Sequence, residues 1–250
     1  MRLDYLQPYL LDKWSLHASL AQTSKLVPRP KKLAQVLQSA SVTVEQRDGP
    51  HAFTYQLCSR RLEMYREGAP EDDTPRVTDS DTGGLSAHDV CSLKSAVGHT
   101  YMRDTRDSKQ MPSTGFFFKT VTECGGFLGR GADFCRNLTH ASWYTPAGGG
   151  CTLGLWGSLG LLQALAGDKS CYFDRFFLGG PLSLRGFRSR GVGPVVATRD
   201  QVRWAKGGEA MVLAGASLSH PLPLPPNLKR LVDARFQVCI RVRAPVLACV

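Results

Sequence analysis

The sequence predicts an all-β, antiparallel fold. Three observations carry this. Residues 149–162 alternate, with Leu153, Leu155, Leu159 and Leu161 on one parity, interrupted by Gly157, and Thr152, Gly154, Trp156, Ser158 and Gly160 on the other, the period-2 signature of a strand with one apolar face. Gly (25) and Pro (15) together make about 16% of the 250 residues, against a usual ~12%, so turns are frequent and elements short. The longest uncharged window, Asn137–Gly167, is polar in its first half and broken by Pro146 and Gly148–Gly150. Its apolar part, Cys151–Ala166, falls short of the ~20 residues of a spanning helix, whereas a spanning strand needs only ~9–11.

Taken in chain order, Val42–Glu45 and Phe53–Leu62 are short alternating candidates, separated by the turn-rich Arg47–Pro50 and preceded by Pro28–Lys32. Glu67–Gly84 is acidic, lacks an apolar period and reads as a loop. Ser92–Tyr101 sets Leu93, Val97 and Tyr101 against Lys94, Ala96 and Gly98. Arg103–Thr114 is a charged connection, and Thr114–Glu123 resumes alternation after Phe116–Phe118. Met211–Ser219 places Val212, Ala214, Ala216 and Leu218 on one parity. Strands joined by long loops on one side suit a barrel or a sandwich. The mean hydropathy of −0.18 excludes a protein of several membrane helices but is compatible with a membrane barrel, whose strands are half apolar.

The net charge is +10. Residues 168–250 hold 13 Lys/Arg against 5 Asp/Glu, while the rest of the chain is close to neutral. A basic third fits an acidic partner, nucleic acid or a polar lumen, and a solvated face is the simplest account. No two of the eight cysteines have C-x-x-C spacing, which excludes zinc ribbons and dithiol redox sites and points to free thiols. Asp4 and Asp12 interrupt any secretory apolar core, so Asn137-Leu-Thr139 reads as a chance sequon. The sequence lacks a G-x-S-x-G elbow, an H-E-x-x-H pair and a P-loop, and its six histidines are scattered. An enzyme is therefore not expected, nor a metal or cofactor. Asp104 and Asp107 would lie on opposite faces of a strand, unsuited to paired acid–base chemistry. Arg185–Gly191 contains Arg-Gly-Phe-Arg-Ser-Arg-Gly, a single weak match to RNA-binding tracts; nucleic acid is not an expected partner.

The same stretch carries a more specific pattern. Asp174-Arg-Phe-Phe-Leu-Gly-Gly-Pro-Leu-Ser-Leu-Arg-Gly-Phe187, followed by Gly191-Val-Gly-Pro194, resembles the signature loop of the outer-membrane β-barrel assembly family (BamA-like, or bacterial surface antigen, proteins). It is most similar to the barrel subunit of the mitochondrial sorting and assembly machinery. Asp104-Thr-Arg-Asp107 with Pro112 and Gly115 resembles the family's upstream strand-end turn. Gly207-Gly-Glu-Ala210 and Pro221-Leu-Pro223 resemble the bounds of the strand after the loop. The similarity covers roughly residues 90–225.

The resemblance implies a transmembrane antiparallel β-barrel, of about sixteen strands in the family, that folds other barrels into the mitochondrial outer membrane. Its implied partners are precursor β-barrel proteins, other subunits of the assembly machinery and the lipid bilayer. The implied site is a lumenal loop over 174–194, with Gly179, Gly180, Pro181, Leu184, Arg185, Gly186, Phe187, Gly193 and Pro194 as its motif. Asp104, Arg106, Pro112 and Gly115 form the strand-end turn. Arg185 would be the lumenal arginine, chiefly stapling the loop to the wall. A buried guanidinium of this kind needs a carboxylate or several carbonyls.

The family's Phe-x-Asp/Asn-x-Gly strand is absent. The corresponding stretch reads Val232-Asp-Ala-Arg-Phe-Gln-Val-Cys-Ile240. The resemblance would also lead one to expect three further strands, an aromatic C-terminal signal and an N-terminal soluble module, which residues 1–250 do not match. The expected object is an incomplete barrel of roughly a dozen strands or fewer, lacking its last strands. Residues 1–89 would supply N-terminal strands and an acidic loop, residues 90–240 the barrel region and residues 241–250 an unassigned tail. The alternative is a soluble all-β binding module whose basic third meets an acidic partner, with apolar residues buried between two sheets.

Overall fold

The computed structural model describes residues 2–7, 13–27, 32–65, 91–126, 133–165, 170–180, 183–184, 186–197, 203–221 and 235–242. Ten strands form one antiparallel sheet: β1 (Arg2–Gln7), β2 (Trp14–Val27), β3 (Lys32–Gln46), β4 (His51–Tyr65), β5 (Cys91–Asp104), β6 (Gly115–Gly125), β7 (Phe134–Gly148), β8 (Cys151–Ala164), β11 (Ala210–Pro221) and β12 (Arg235–Val242). Each pairs with the next in that order. A small hairpin of β9 (Val195–Ala197) and β10 (Arg203–Ala205) stands apart. Eight of the ten sheet strands reach 11–15 residues, enough to cross a bilayer. The sheet is open: among the described residues β1 and β12 are its edges and do not pair. Glu67–Gly84, expected as a loop, lies outside the described residues.

The two faces are reversed relative to a soluble sheet. In β8, Thr152 and Leu162 are buried on the concave side, while Leu155, Leu159 and Leu161 are 42–51% exposed on the other. β11 pairs with β8 in register Ala210↔Leu161 through Ser219↔Thr152. It repeats the pattern, with Met211 and Leu213 inward and Val212 and Leu218 outward. Leu20, Val42, Phe53, Tyr55, Val97 and Trp143 extend the exposed apolar face across the sheet. Apolar-out alternation over this many strands is the lipid-facing surface of a membrane barrel. It does not fit the alternative soluble module, which needs its apolar residues between two sheets.

One rim carries an aromatic band. Trp14, Phe53 and His99 follow one another at ring separations of 6.4 and 4.8 Å, and Tyr101 meets Phe118 at 6.1 Å. His51 bridges the two groups, 5.3 Å from His99 and 5.2 Å from Tyr101. This rim bears the short turns at 47–50 and 149–150, and aromatic girdles of this kind mark a membrane interface.

Three strands of the sheet, β1, β2 and β7, are absent from the sequence-based expectation. The outward face of β7 mixes polar Asn137 and Thr139 with Ala141 and Trp143, so its hydropathy does not alternate. The polarity of Asn137 and Thr139 is satisfied across the strands: Asn137 Nδ2 donates to Thr120 Oγ1 at 3.1 Å and Thr122 Oγ1 at 2.8 Å, and Thr139 Oγ1 donates to Asn137 Oδ1 at 3.0 Å. Pro146 sits where the β7–β8 register slips, between Pro146 and Gly148, a position where a missing N–H costs no ladder bond.

Candidate functional site

The chain between β8 and β11 does not run over the surface. A single 3-10 turn, Tyr172–Asp174, carries it back onto the concave face of the sheet. From there Phe176 pairs with Gly208 through two backbone bonds of 2.9 Å, and Val192 N donates to Leu178 O at 3.1 Å. The segment alternates like a strand, burying Phe176 (3% exposed) and Leu178 (1%) against the wall. Phe134 of β7, Leu162 of β8 and Met211 and Leu213 of β11 complete one cluster with Leu184. Here lies the largest buried apolar group among the described residues, inside the curve of the sheet rather than between layers. Gly160 of β8 makes room for the Phe176 ring, since a Cβ there would stand 2.8 Å from it.

Gly179 fits the loop for a backbone reason. Its φ is +115°, and a Cβ would run into the carbonyl oxygen of Arg188, so only glycine allows this crossing. Its N–H is bound by Ser183 Oγ at 3.0 Å. Gly180 pairs with Leu184, and its N–H donates to Phe187 O at 3.1 Å, closing the tip. Gly186, Phe187 and Gly193 lie at the open side of this tip, Phe187 being 36% exposed. Pro194 O accepts from Lys206 N at 2.9 Å. Pro181 and Arg185 lie outside the described residues, so the guanidinium expected to staple the loop is not among the contacts below.

A different arginine ties the loop to the wall. Arg60 Nη1, on β4, donates to Asp174 Oδ1 at 2.6 Å, with side-chain exposures of 5% and 1%. Lys94 on β5 stands 3.7 Å from the same oxygen and 2.5 Å from Glu123 Oε1 on β6. The Arg60 guanidinium also lies 5.1 Å over the Phe173 ring and bonds Cys171 Sγ at 3.9 Å. Two cations and two carboxylates from three strands and the loop thus neutralise one another. Buried ions persist only when paired and hydrogen-bonded, because desolvation otherwise exceeds the Coulomb gain. Asp174 is the first residue of the motif, yet its partner falls in 1–89, a stretch without recognisable landmarks. The one available signal was parity: Lys94 sits on the polar side of Ser92–Tyr101.

The strand-end turn is a separate, self-contained structure. Asp104 accepts a bidentate pair from Arg106 Nε and Nη2, both at 2.8 Å. Arg106 then lies 4.6 Å over the Phe117 ring. Asp107 accepts from the backbone N–H groups of Ser113 (2.8 Å), Ser108 (2.9 Å) and Thr114 (3.2 Å). These donors hold its carboxyl below the usual range. Gly115 takes φ +102°, where a Cβ would clash with the Thr105 carbonyl. Thr105 binds Phe116 in both directions, closing the turn. Pro112 is half-buried within it. The structure keeps this turn and the loop tip as two assemblies. Both line one cavity of about 940 Å³, with Arg106 from the turn and Phe176–Gly179 from the loop in its wall.

Comparison with known proteins follows the same lines. The chain is 34% identical over 138 residues to the sorting and assembly machinery component 50 homolog of Mus musculus, an alignment spanning 54% of this chain and 28% of that protein. A SAM50-like protein of Schizosaccharomyces pombe is 34% identical over 182 residues, 70% of this chain and 34% of its own length. A SAM50-like protein of Drosophila melanogaster is 29% identical over 190 residues, 74% and 38% respectively. The chain therefore spans about a third of the length of the curated relatives it matches. The crystal structure of BamA from Haemophilus ducreyi, lacking POTRA domains 1–3, superposes with a TM-score of 0.74 at 17% identity. That superposition covers 96% of this chain and 48% of that one, and it bears on the fold. The Omp85 superfamily domain model matches residues 1–236, and on that match, with an inward-folded loop inside an apolar-out sheet, the chain belongs to the Omp85 superfamily.

Proposed function

We propose that this chain is the barrel portion of a machine that inserts and assembles β-barrel proteins in the mitochondrial outer membrane. The observation that carries the reading is the loop 174–194, folded onto the concave wall and clamped there by Arg60–Asp174, within a sheet whose outer face suits lipid. The likeness to sorting and assembly machinery relatives supplies the choice of membrane.

The reading assigns no catalytic residue and no cofactor. The barrel acts mechanically: an apolar outer face holds it in the bilayer, and the loop fills the lumen and stiffens the wall near β8 and β11. Precursor β-barrel proteins are its substrates, and other subunits of the assembly machinery are its neighbours. The sheet edges are compatible with strand exchange, because an unpaired edge in hydrocarbon costs several kcal/mol per open N–H or C=O. The loop motif and the strand-end turn, from Asp104 and Arg106 to Pro112 and Gly115, act as structural staples in this scheme.

The test is fractionation and assembly together. The chain should remain in mitochondrial outer membranes after carbonate extraction, and depleting it should slow the appearance of assembled barrel precursors on native gels. Recovery in the carbonate-soluble fraction would refute the membrane reading. Normal precursor assembly after depletion would refute the insertase reading alone.

A further inference from the structure

The charges on the concave face divide into a balanced set and an unbalanced one. Among the described residues, Arg60 and Lys94 are matched by Asp174 and Glu123, and Arg106 by Asp104. Arg136, Arg175 and Arg190 have no carboxylate partner among the described residues, and all three line the cavity of about 940 Å³ between the loop and β6–β8 and β11. Glu123 is the cross-strand neighbour of Arg136, but its carboxylate is taken by Lys94 at 2.5 Å. No Asp or Glu is among the described residues that line the cavity.

Two of these guanidiniums are pre-positioned by stacking. Arg136 lies 4.6 Å over the Phe176 ring and Arg190 4.4 Å over the Phe177 ring. Stacking engages the flat face of a guanidinium and leaves its N–H edge free to donate. Arg190 spends one donor on Tyr172 OH at 3.2 Å. Arg136 Nε is buried and makes no hydrogen bond among the described residues, so the donors Arg136 can offer a ligand are its terminal Nη groups on the cavity side. Arg175 is held by Ser170 and the Lys206 carbonyl, so it contributes charge rather than a free fork. Three cations line one cavity with no carboxylate among its described lining residues, and guanidinium N–H edges match the oxygens of phosphate.

We propose that this lumenal cavity binds a phosphomonoester or pyrophosphate group, with Arg136 and Arg190 as the direct donors and Arg175 as a fixed positive charge. This goes beyond the assembly role and does not depend on it. A volume of about 940 Å³ is at the upper end of small-molecule sites, enough for the phosphate and the organic group that carries it. The phosphate could be presented by a soluble compound or by a phospholipid headgroup, and the experiment separates these.

The full chain, reconstituted in phosphatidylcholine nanodiscs, is titrated with inorganic pyrophosphate while tryptophan emission is followed, since Trp156 lines the cavity. Saturable binding that weakens with salt is expected. Arg136→Gln and Arg190→Gln should each weaken it at least tenfold, Arg136→Lys should keep part of it, and Arg188→Gln, exposed on the same loop, should leave it unchanged. Circular dichroism identifies the variants that retain the β-sheet, and only these are compared. Competition by phosphatidic acid in the disc assigns the phosphate to a lipid headgroup, and its absence assigns it to a soluble compound. No saturable response in either lipid, or a response that Arg136→Gln and Arg190→Gln leave intact, overturns the proposal.

Discussion

Arg60 and Asp174 are 114 positions apart in the chain and 2.6 Å apart in space, and both are buried. No other described ion pair joins the loop to the wall with so little exposure on both partners. The contact therefore reports whether the loop is seated.

Removing one partner strands the other charge. Arg60→Ala or Asp174→Ala should each cost about 3–5 kcal/mol, whereas Arg60→Met with Asp174→Leu should cost much less. Urea unfolding of the reconstituted protein measures all three. A double variant as damaged as the sum of the single ones would show that the two side chains do not act as a pair.

The loop's seat also depends on space. Gly160→Ala places a Cβ 2.8 Å from the Phe176 ring, an overpacking expected to cost about 1–3 kcal/mol. Adding Phe176→Leu to Gly160→Ala should recover part of that loss, although Phe176→Leu alone destabilises. Limited proteolysis within residues 186–194 provides the readout, with faster cleavage in Gly160→Ala and slower cleavage in the double variant.

Adjacent residues of β8 face different solvents. Leu159 is 44% exposed on the outer face, while Ser158 Oγ bonds His140 Nδ1 at 2.7 Å inside. Leu159→Arg should destabilise the membrane-embedded chain by about 2–4 kcal/mol, the cost of a cation near the midplane of a barrel's lipid face. Ser158→Gln should cost under about 1 kcal/mol. Comparable losses from the two substitutions would contradict the inside–outside assignment.

The strand-end turn should respond to acid. Three backbone donors hold the Asp107 carboxyl below its ordinary value. Its stabilisation is therefore complete above the unfolded carboxylate range of about 4, and it is lost as pH falls through the lower folded value. Amide exchange at Ser113 and Thr114, corrected for intrinsic pH dependence, should accelerate over that acid window. Asp107→Asn should show fast exchange at every pH. Protection of both amides that persists in Asp107→Asn would mean that the carboxylate does not organise the turn.

By itself, the sequence determined the elements whose signal is local. The alternation in β8 and β11 is written in consecutive residues, and the lipid-facing leucines announce themselves because period 2 puts them all on one face. The loop motif and the strand-end turn are legible because Gly179 and Gly115, one in each, answer to backbone angles that other residues avoid. Only the tertiary structure decided which face of the sheet is wet, which residue holds Asp174, and that Asn137, Thr120 and Thr122 satisfy one another on the outside of β6 and β7. The physical reason is register: a strand's composition is its own, but its partners are set by the curvature and pairing of the whole sheet, which no window of neighbouring residues contains.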